Sequence, residues 1–315
     1  MHTTKAARPR LAVALMIFAA VVLVVGVCWA AEQPERPKIT GIAFVTLKVA
    51  NIADAEAFYH GSLHLPQLHS GCFAGDQSCF FINLTQQLDL INAGGPSTGR
   101  QVDAVGFFTS DVRALHRYLS AKGCKPGELR KSATDTSFEI TDPESHTIVF
   151  VHSPKGSAGS VSGTPPIAGR LIHAGFVVKD PAAMDKFYQD ALGFHVYWHG
   201  GMKDGETDWV DMQVPDGTDW IEYMLNVPQN ADKRLLGIMN HIALGVPDIH
   251  AAANQLEKNG LKLMEEPKIG RDGKWQLNLY DPDQTRVELM EFKPAEKPCC
   301  SDYTGPHPGQ SVHDR

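Results

Sequence analysis

A chain of 315 residues is longer than one small domain needs and long enough for two. With 43% hydrophobic and 21% charged residues it has the make-up of folded globular protein, not of a disordered chain or a bundle of membrane spans. A net charge of −7, with no basic patch interleaved with aromatics, excludes nucleic acid as an expected partner. A small molecule is the expected partner, and oligomeric state is left open.

Residues 1–30 read as a targeting segment. Lys5, Arg8 and Arg10 precede an apolar run from Leu11 to Val27, which ends in Cys28-Trp29-Ala30-Ala31. Cleavage after Ala30 and an uncleaved membrane anchor over residues 11–30 are both open, since the run lies near the lower limit for a bilayer span. Either way the body is expected to be exported, periplasmic or secreted, and to meet the membrane only through this segment. In an oxidising compartment Cys72 and Cys79 could clip a hairpin; Cys299-Cys300 read as incidental, with a tail disulfide or adventitious metal binding left open. No Cys-x-x-Cys motif is present.

From Ile39 the pattern runs strand (41–48), helix (52–63) and short strands to about residue 92. It then runs strand (103–108), helix (112–122) and strands ending in Thr147–His152. Residues 154–169, rich in Gly, Ser and Pro, read as a flexible linker. The second half then repeats the first. Phe58-Tyr59 returns as Phe187-Tyr188, Asp111-Val-Arg-Ala as Asp248-Ile-His-Ala, and Thr141-Asp142-Pro143 as Tyr280-Asp281-Pro282. The class is therefore α+β, with four βαβββ units making two domains, 39–153 and 170–294. Residues 295–315, with several Pro, Gly and His, are expected to be a disordered tail.

Four residues stand out in apolar, strand-like runs: His173, Glu222, His241 and Glu288. Burying an unpaired imidazole or carboxylate costs several kcal/mol. A borderline divalent cation, whose preferred donors are these nitrogens and oxygens, would offset that cost. His173 and His241 lie 68 residues apart and Glu222 and Glu288 lie 66 apart, so the repeat gives one His and one Glu per unit. For any one of them a satisfied core histidine or a strand-edge carboxylate is the plainer reading. For all four in register a metal site, of Ni, Zn, Co, Mn or Fe(II), explains more.

Phe187-Tyr188…Leu192-Gly193-Phe194, Asn240-His241-Ile-Ala-Leu244 and Asp281-Pro282-Asp283…Arg286-Val-Glu288-Leu-Met-Glu291 resemble the vicinal oxygen chelate superfamily. That superfamily includes glyoxalase I, extradiol dioxygenases and the bleomycin-resistance proteins. The resemblance covers about residues 39–294. It implies a cupped, incomplete barrel with a metal on its inner face, held by His173, Glu222, His241 and Glu288. The four-ligand pattern is similar to glyoxalase I, which implies a metal-dependent lyase or isomerase passing through an enediolate, with Glu288 or Glu222 as catalytic base and Glu288 slightly favoured. The subset His173, His241 and Glu288 resembles the Fe(II) triad of the extradiol dioxygenases. Against that, Asn278 stands where the dioxygenases carry a tyrosine, and Glu222 adds a fourth anionic ligand. A metal-free small-molecule-binding protein of the resistance type is the third reading. Glutathione is chiefly cytosolic, so export sits awkwardly with a glutathione adduct as substrate.

The first domain aligns with Gly41, Ala104 and Val149 at three ligand positions and Asp89 near the fourth, so no metal is expected there. His195, Tyr197 and His199 alternate on one strand and should share a face. They would line the substrate cup or sit as solvated edge residues. Trp209 and Trp220 read as core more than as pocket.

Overall fold

The computed structural model describes residues 34–68, 71–73, 78–96, 98–132, 136–152 and 166–309. The signal or anchor segment and most of the linker lie outside the described residues. Among those described, no helix is long and apolar enough to cross a membrane.

In chain order the first half comprises β1 (Ile39–Val49), α1 (Ile52–Glu56, running on as a π-helical turn over Ala57–Ser62), β2 (Gln67–Leu68), β3 (Ser78–Phe81), β4 (Gln87–Asn92), β5 (Val102–Thr109), α2 (Val112–Ala121), β6 (Arg130–Lys131), β7 (Thr136–Thr141) and β8 (Thr147–His152). The second half comprises β9 (Arg170–Val177), α3 (Pro181–Asp185, with a second π-helical turn over Lys186–Ala191), β10 (His195–Gly200), β11 (Trp209–Gln213), β12 (Trp220–Met224), α4 (Lys233–Met239), β13 (His241–Val246), α5 (Ile249–Lys258), β14 (Lys268–Ile269), β15 (Trp275–Tyr280) and β16 (Arg286–Glu291). Helix starts follow local chemistry. Asn51, Asp111, Asp180, Asp232 and Asp248 each cap a helix by accepting a backbone N–H through the side-chain oxygen, and Pro181 fits the first turn of α3.

Two eight-stranded sheets result, with the orders β2-β3-β4-β1-β5-β8-β7-β6 and β10-β11-β12-β9-β13-β16-β15-β14. Identical orders confirm the internal repeat. In each sheet two four-stranded units meet along an antiparallel central pair, β1 with β5 and β9 with β13. Each sheet turns one face to a shared core that holds Leu47, Val105, Phe107, Phe150, Phe176, Phe194, Ile221 and Leu289 together with the helices. The opposite faces line two smaller clusters. One is Ala43, Phe44, Ala104, Phe108, Val149 and Val151; the other is Ile172, Tyr197, Trp198, Trp220, Ala243 and Met290.

Polar latches tie the halves reciprocally across the core. The Tyr59 hydroxyl donates to Asp281 at 3.0 Å, and the Tyr188 hydroxyl donates to Asp142 at 3.1 Å. Both aspartates open the Asp-Pro turns recognised in the sequence. Their other oxygens accept backbone N–H groups of the same turn, those of Glu144 and His146 in one case and Asp283 and Thr285 in the other. Gln86 bridges the sheets by donating to the Ile42 and Leu171 carbonyls. Arg170 pairs with Asp219 at 2.7 Å where both are buried.

Two expectations need correction. The tail is not without structure as far as Gly309. The Trp198 indole donates to the Cys299 carbonyl, Ser301 brackets the backbone of His199, and the Thr304 N–H donates to the Tyr197 carbonyl. The exposed edge of β10 supplies unpaired backbone groups, and Tyr303 supplies an aromatic cover, which composition alone does not reveal. The second correction concerns register in β1. Ala43 is the extra residue of a bulge opposite β5, as Ile172 is opposite β13, so Phe44 and not Gly41 occupies the place of His173. Cys72 and Cys79 are joined with Cα atoms 5.7 Å apart, and Cys299 is joined to Cys300.

Candidate metal centre

Strand geometry brings the four residues together. The bulge at Ile172 turns His173 to the cup face of β9. Glu222 on β12 and His241 on β13 both lie opposite Gly175 of β9, one from each side. Only glycine serves there, because a Cβ on Gly175 would stand 2.1 Å from the His241 ring. Glu288 on β16 lies opposite Ala243.

His173 Nε2 and His241 Nε2 stand 3.0 Å apart. Glu222 Oε2 is 2.9 Å from His241 Nε2 and 3.7 Å from His173 Nε2. Glu288 Oε2 is 3.8 Å from both imidazole nitrogens. Donor atoms of His173, Glu222 and His241 all fall within 4.8 Å of one another. Three of the four side chains are buried, and Glu222 is partly so.

The donor set fits a divalent ion. Two ligands bound at right angles, each ~2.0–2.1 Å from a metal, stand about 2.9 Å apart, which is close to the observed nitrogen spacing. The Met239 carbonyl accepts from His241 Nδ1 at 3.2 Å, which leaves the Nε2 lone pair pointing into the cup. Burial pushes both imidazoles well below their ordinary pKa, so they are neutral ligands near pH 7. Glu222 Oε2 has no hydrogen-bond donor. The imidazole and carboxylate lone pairs thus converge on one point, where the Arg286 guanidinium is the hydrogen-bond donor.

Charge around the cup agrees. Burial pushes the Glu288 carboxyl up to about 7, against the pull of Arg286. Asp211 and Asp272 are also raised by burial, and Lys274 is lowered by it. Lys274 is fully buried with no hydrogen-bond partner for Nζ. Its ammonium lies 4.5 Å from the ring centre of Trp220 and 5.1 Å from those of Tyr197 and Tyr303. Four acidic groups (Glu222, Glu288, Asp211, Asp272) thus face two bases (Arg286, Lys274) in low dielectric, a balance a dication completes.

A cavity of about 330 Å³ opens onto this centre. Its walls include Trp198, Trp209, Trp220, Met202 and Met290, with Asn278, Gln276, Arg271 and Arg286 as polar members. Trp220 is therefore both core and wall. His195, Tyr197 and His199 do not line the cavity. The chain bulges between Val196 and Trp198, which brings Trp198 to the wall instead, and the tail covers Tyr197. Reading the sequence also missed Arg286, Lys274, Asp211 and Asp272. Only Arg286 carried a signal: it lies two residues before Glu288 on one strand, hence on the same face. Lys274 follows a glycine in a turn and gave none.

In the first domain the equivalent positions are Phe44, Asp89, Ala104 and Val149, and Phe73 stacks on Phe44 at 4.6 Å. Among the described residues that cup is mostly apolar, with the buried Asp89 and no imidazole.

Residues 170–289 match the model of the Glyoxalase/Bleomycin resistance protein/Dioxygenase superfamily. Among solved structures the chain is similar to a Mn(II)-bound glyoxalase from Novosphingobium aromaticivorans, at 19% identity and a TM-score of 0.62, over 81% of this chain and 83% of that one. It is similar to an extradiol ring-cleaving dioxygenase from B. fuscum at 18% identity and a TM-score of 0.60, over 82% of this chain and 73% of that one. No curated protein sequence matches the chain. Residues 170–289 thus carry a domain of this superfamily, also called vicinal oxygen chelate, and the two sheets share one strand order.

Proposed function

We propose that the protein is an exported, metal-dependent vicinal oxygen chelate enzyme of the lyase or isomerase kind, acting on a small molecule with two neighbouring oxygens. The observation that carries this reading is Glu222 Oε2, 2.9 Å from His241 Nε2 and without a donor. A fourth, anionic ligand favours proton transfer at a carbon acid over oxygen chemistry that needs several open positions. The Cys72–Cys79 clip and the positive-then-apolar first thirty residues support export.

His173, His241, Glu222 and Glu288 would hold the ion, which when bound would polarise a carbonyl and increase the acidity of the neighbouring C–H. Glu288 is the better candidate for the base. Its Oε2 lies 3.8 Å from both imidazoles, farther out than Glu222 Oε2 from His241, and it can take a proton from carbon and return it to the adjacent carbon. Trp198, Trp209 and Trp220 hold a flat substrate against the centre and exclude water. Asn278 lines the same wall, while the Tyr280 hydroxyl donates to Glu265. No tyrosine therefore lines the cavity where the dioxygenases carry one.

The test is metal content by elemental mass spectrometry, on protein purified without chelator, beside Glu222→Gln. Near-stoichiometric metal that falls in the variant, with turnover of dicarbonyl–thiol adducts, supports the reading. Iron held equally by both proteins, with catechol cleavage, replaces it with a dioxygenase. No metal in either, even after reconstitution, leaves a binding protein.

A further inference from the structure

Arg286 has no part in the chemistry above, yet its guanidinium stands at the convergence point of the ligands. Nη2 donates to His241 Nε2 at 2.6 Å and lies 3.8 Å from both Glu222 Oε2 and Glu288 Oε2. Its Nε is buried without a partner, and the side chain forms part of the cavity wall. A single nitrogen lone pair cannot serve a guanidinium N–H and a metal ion together. A +1 group and a +2 ion placed against the same two carboxylates also repel strongly at low dielectric.

From this we infer that Arg286 and the metal exclude one another at His241, and that loading the site turns Arg286 into the cavity, where it reads an anionic group on the chelated molecule. The inference rests on the metal-centre reading given above. Once released from His241, Nη2 and the partnerless Nε form two parallel N–H donors, the fork that a carboxylate accepts in bidentate fashion. The competing cations at the cavity mouth are already engaged. Lys268 pairs with Glu265 at 2.7 Å, and Arg271 donates to the Gly201 carbonyl and pairs with Asp204. The ligand class is therefore a small molecule with two adjacent oxygens for the metal and a carboxylate a few bonds away. Arg286 sets both the order of binding, metal before carboxylate, and the preference for that carboxylate.

The experiment uses the full chain as wild type, Arg286→Met and Arg286→Lys, with folding checked by thermal melting. Mn(II) is titrated into each by calorimetry. The Mn(II)-loaded proteins are then titrated with catechol and with 3,4-dihydroxybenzoate, which offer the same chelate without and with a carboxylate. The Met variant should bind Mn(II) at least about tenfold more tightly, since it has no charge-assisted bond to break. Wild type should prefer 3,4-dihydroxybenzoate by about tenfold or more, and the Met variant should lose that preference. The Lys variant should keep part of it, because a point charge lacks the fork. Equal Mn(II) affinity in all three proteins with equal affinity for the two probes overturns the role of Arg286 and leaves the metal centre standing. Failure of all three to bind Mn(II) overturns the metal centre and this inference with it.

Discussion

The bond between Tyr59 and Asp281 gives a measurable coupling between the domains. Burial pushes the Asp281 carboxyl from 3.8 up to about 6, while hydrogen bonds from Thr285 and Tyr59 pull it down. The folded state therefore holds this proton more tightly than the unfolded chain. Stability from this group is fullest below about pH 4 and falls as pH rises through 6, by roughly 3 kcal/mol in all. Tyr59→Phe removes a buried donor 3.0 Å from Asp281 Oδ2. At pH 8 the carboxylate is charged and its loss of the hydroxyl costs about 2 kcal/mol; at pH 5 the carboxyl is largely neutral and the cost is about 1 kcal/mol or less. The variant should also move the carboxyl higher still, extending the pH-dependent loss above 6. Urea unfolding of wild type and variant at pH 5 and 8, followed by tryptophan fluorescence, measures both numbers. A destabilisation equal at the two pH values, or below about 0.5 kcal/mol at pH 8, would refute the reasoning.

Three further outcomes follow from the packing. Phe107 is fully buried and meets Phe194 of the other domain edge-on at 5.4 Å, so Phe107→Ala should cost about 4 kcal/mol in chemical unfolding, through the cavity it leaves. Ending the chain after Lys293 removes Tyr303 from the Lys274 cage and the acceptor of the Trp198 indole. It should cost about 3 kcal/mol and shift tryptophan emission to the red; unchanged emission would contradict the packing of the tail. Val149→Glu places a carboxylate among Phe44, Ala104 and Phe108 with no imidazole near. It should destabilise by several kcal/mol, more at pH 8 than at pH 5, and should not create a second metal site in calorimetry.

Much of the fold was legible because it rests on signals local in sequence. Asp111, Asp180 and Asp248 announce helix starts, the Asp-Pro turns recur, and the repeat of the two halves is visible from Phe58-Tyr59 and Phe187-Tyr188. His173, Glu222, His241 and Glu288 were legible because polar residues in apolar strands violate the pattern around them. What escaped depends on register. Phe44 pairs with Gly106 as His173 pairs with Ala243, a register three residues away from Gly41 that the sequence does not display, and the bulge in β10 exchanged Trp198 for Tyr197 at the wall. The tail escaped because its order comes from a surface elsewhere in the chain, not from its own composition. Lys274 escaped because a buried lysine caged by residues 197, 220 and 303 leaves no trace around position 274.

The crossed tyrosine–aspartate latches set different constraints on the two faces of the first domain. Its cup holds Phe44, Ala104 and Val149 where the second half has His173, His241 and Glu288. Its other face supplies Tyr59 and Asp142 to partners 222 and 46 residues further on, so a change there acts on the turn that precedes Glu288 or on the helix that follows β9. That half is the mould against which the other half sets. Cut from residues 39–152, the second half would lose the hydroxyl over Asp281 and the ring against Phe194, and expose an apolar face.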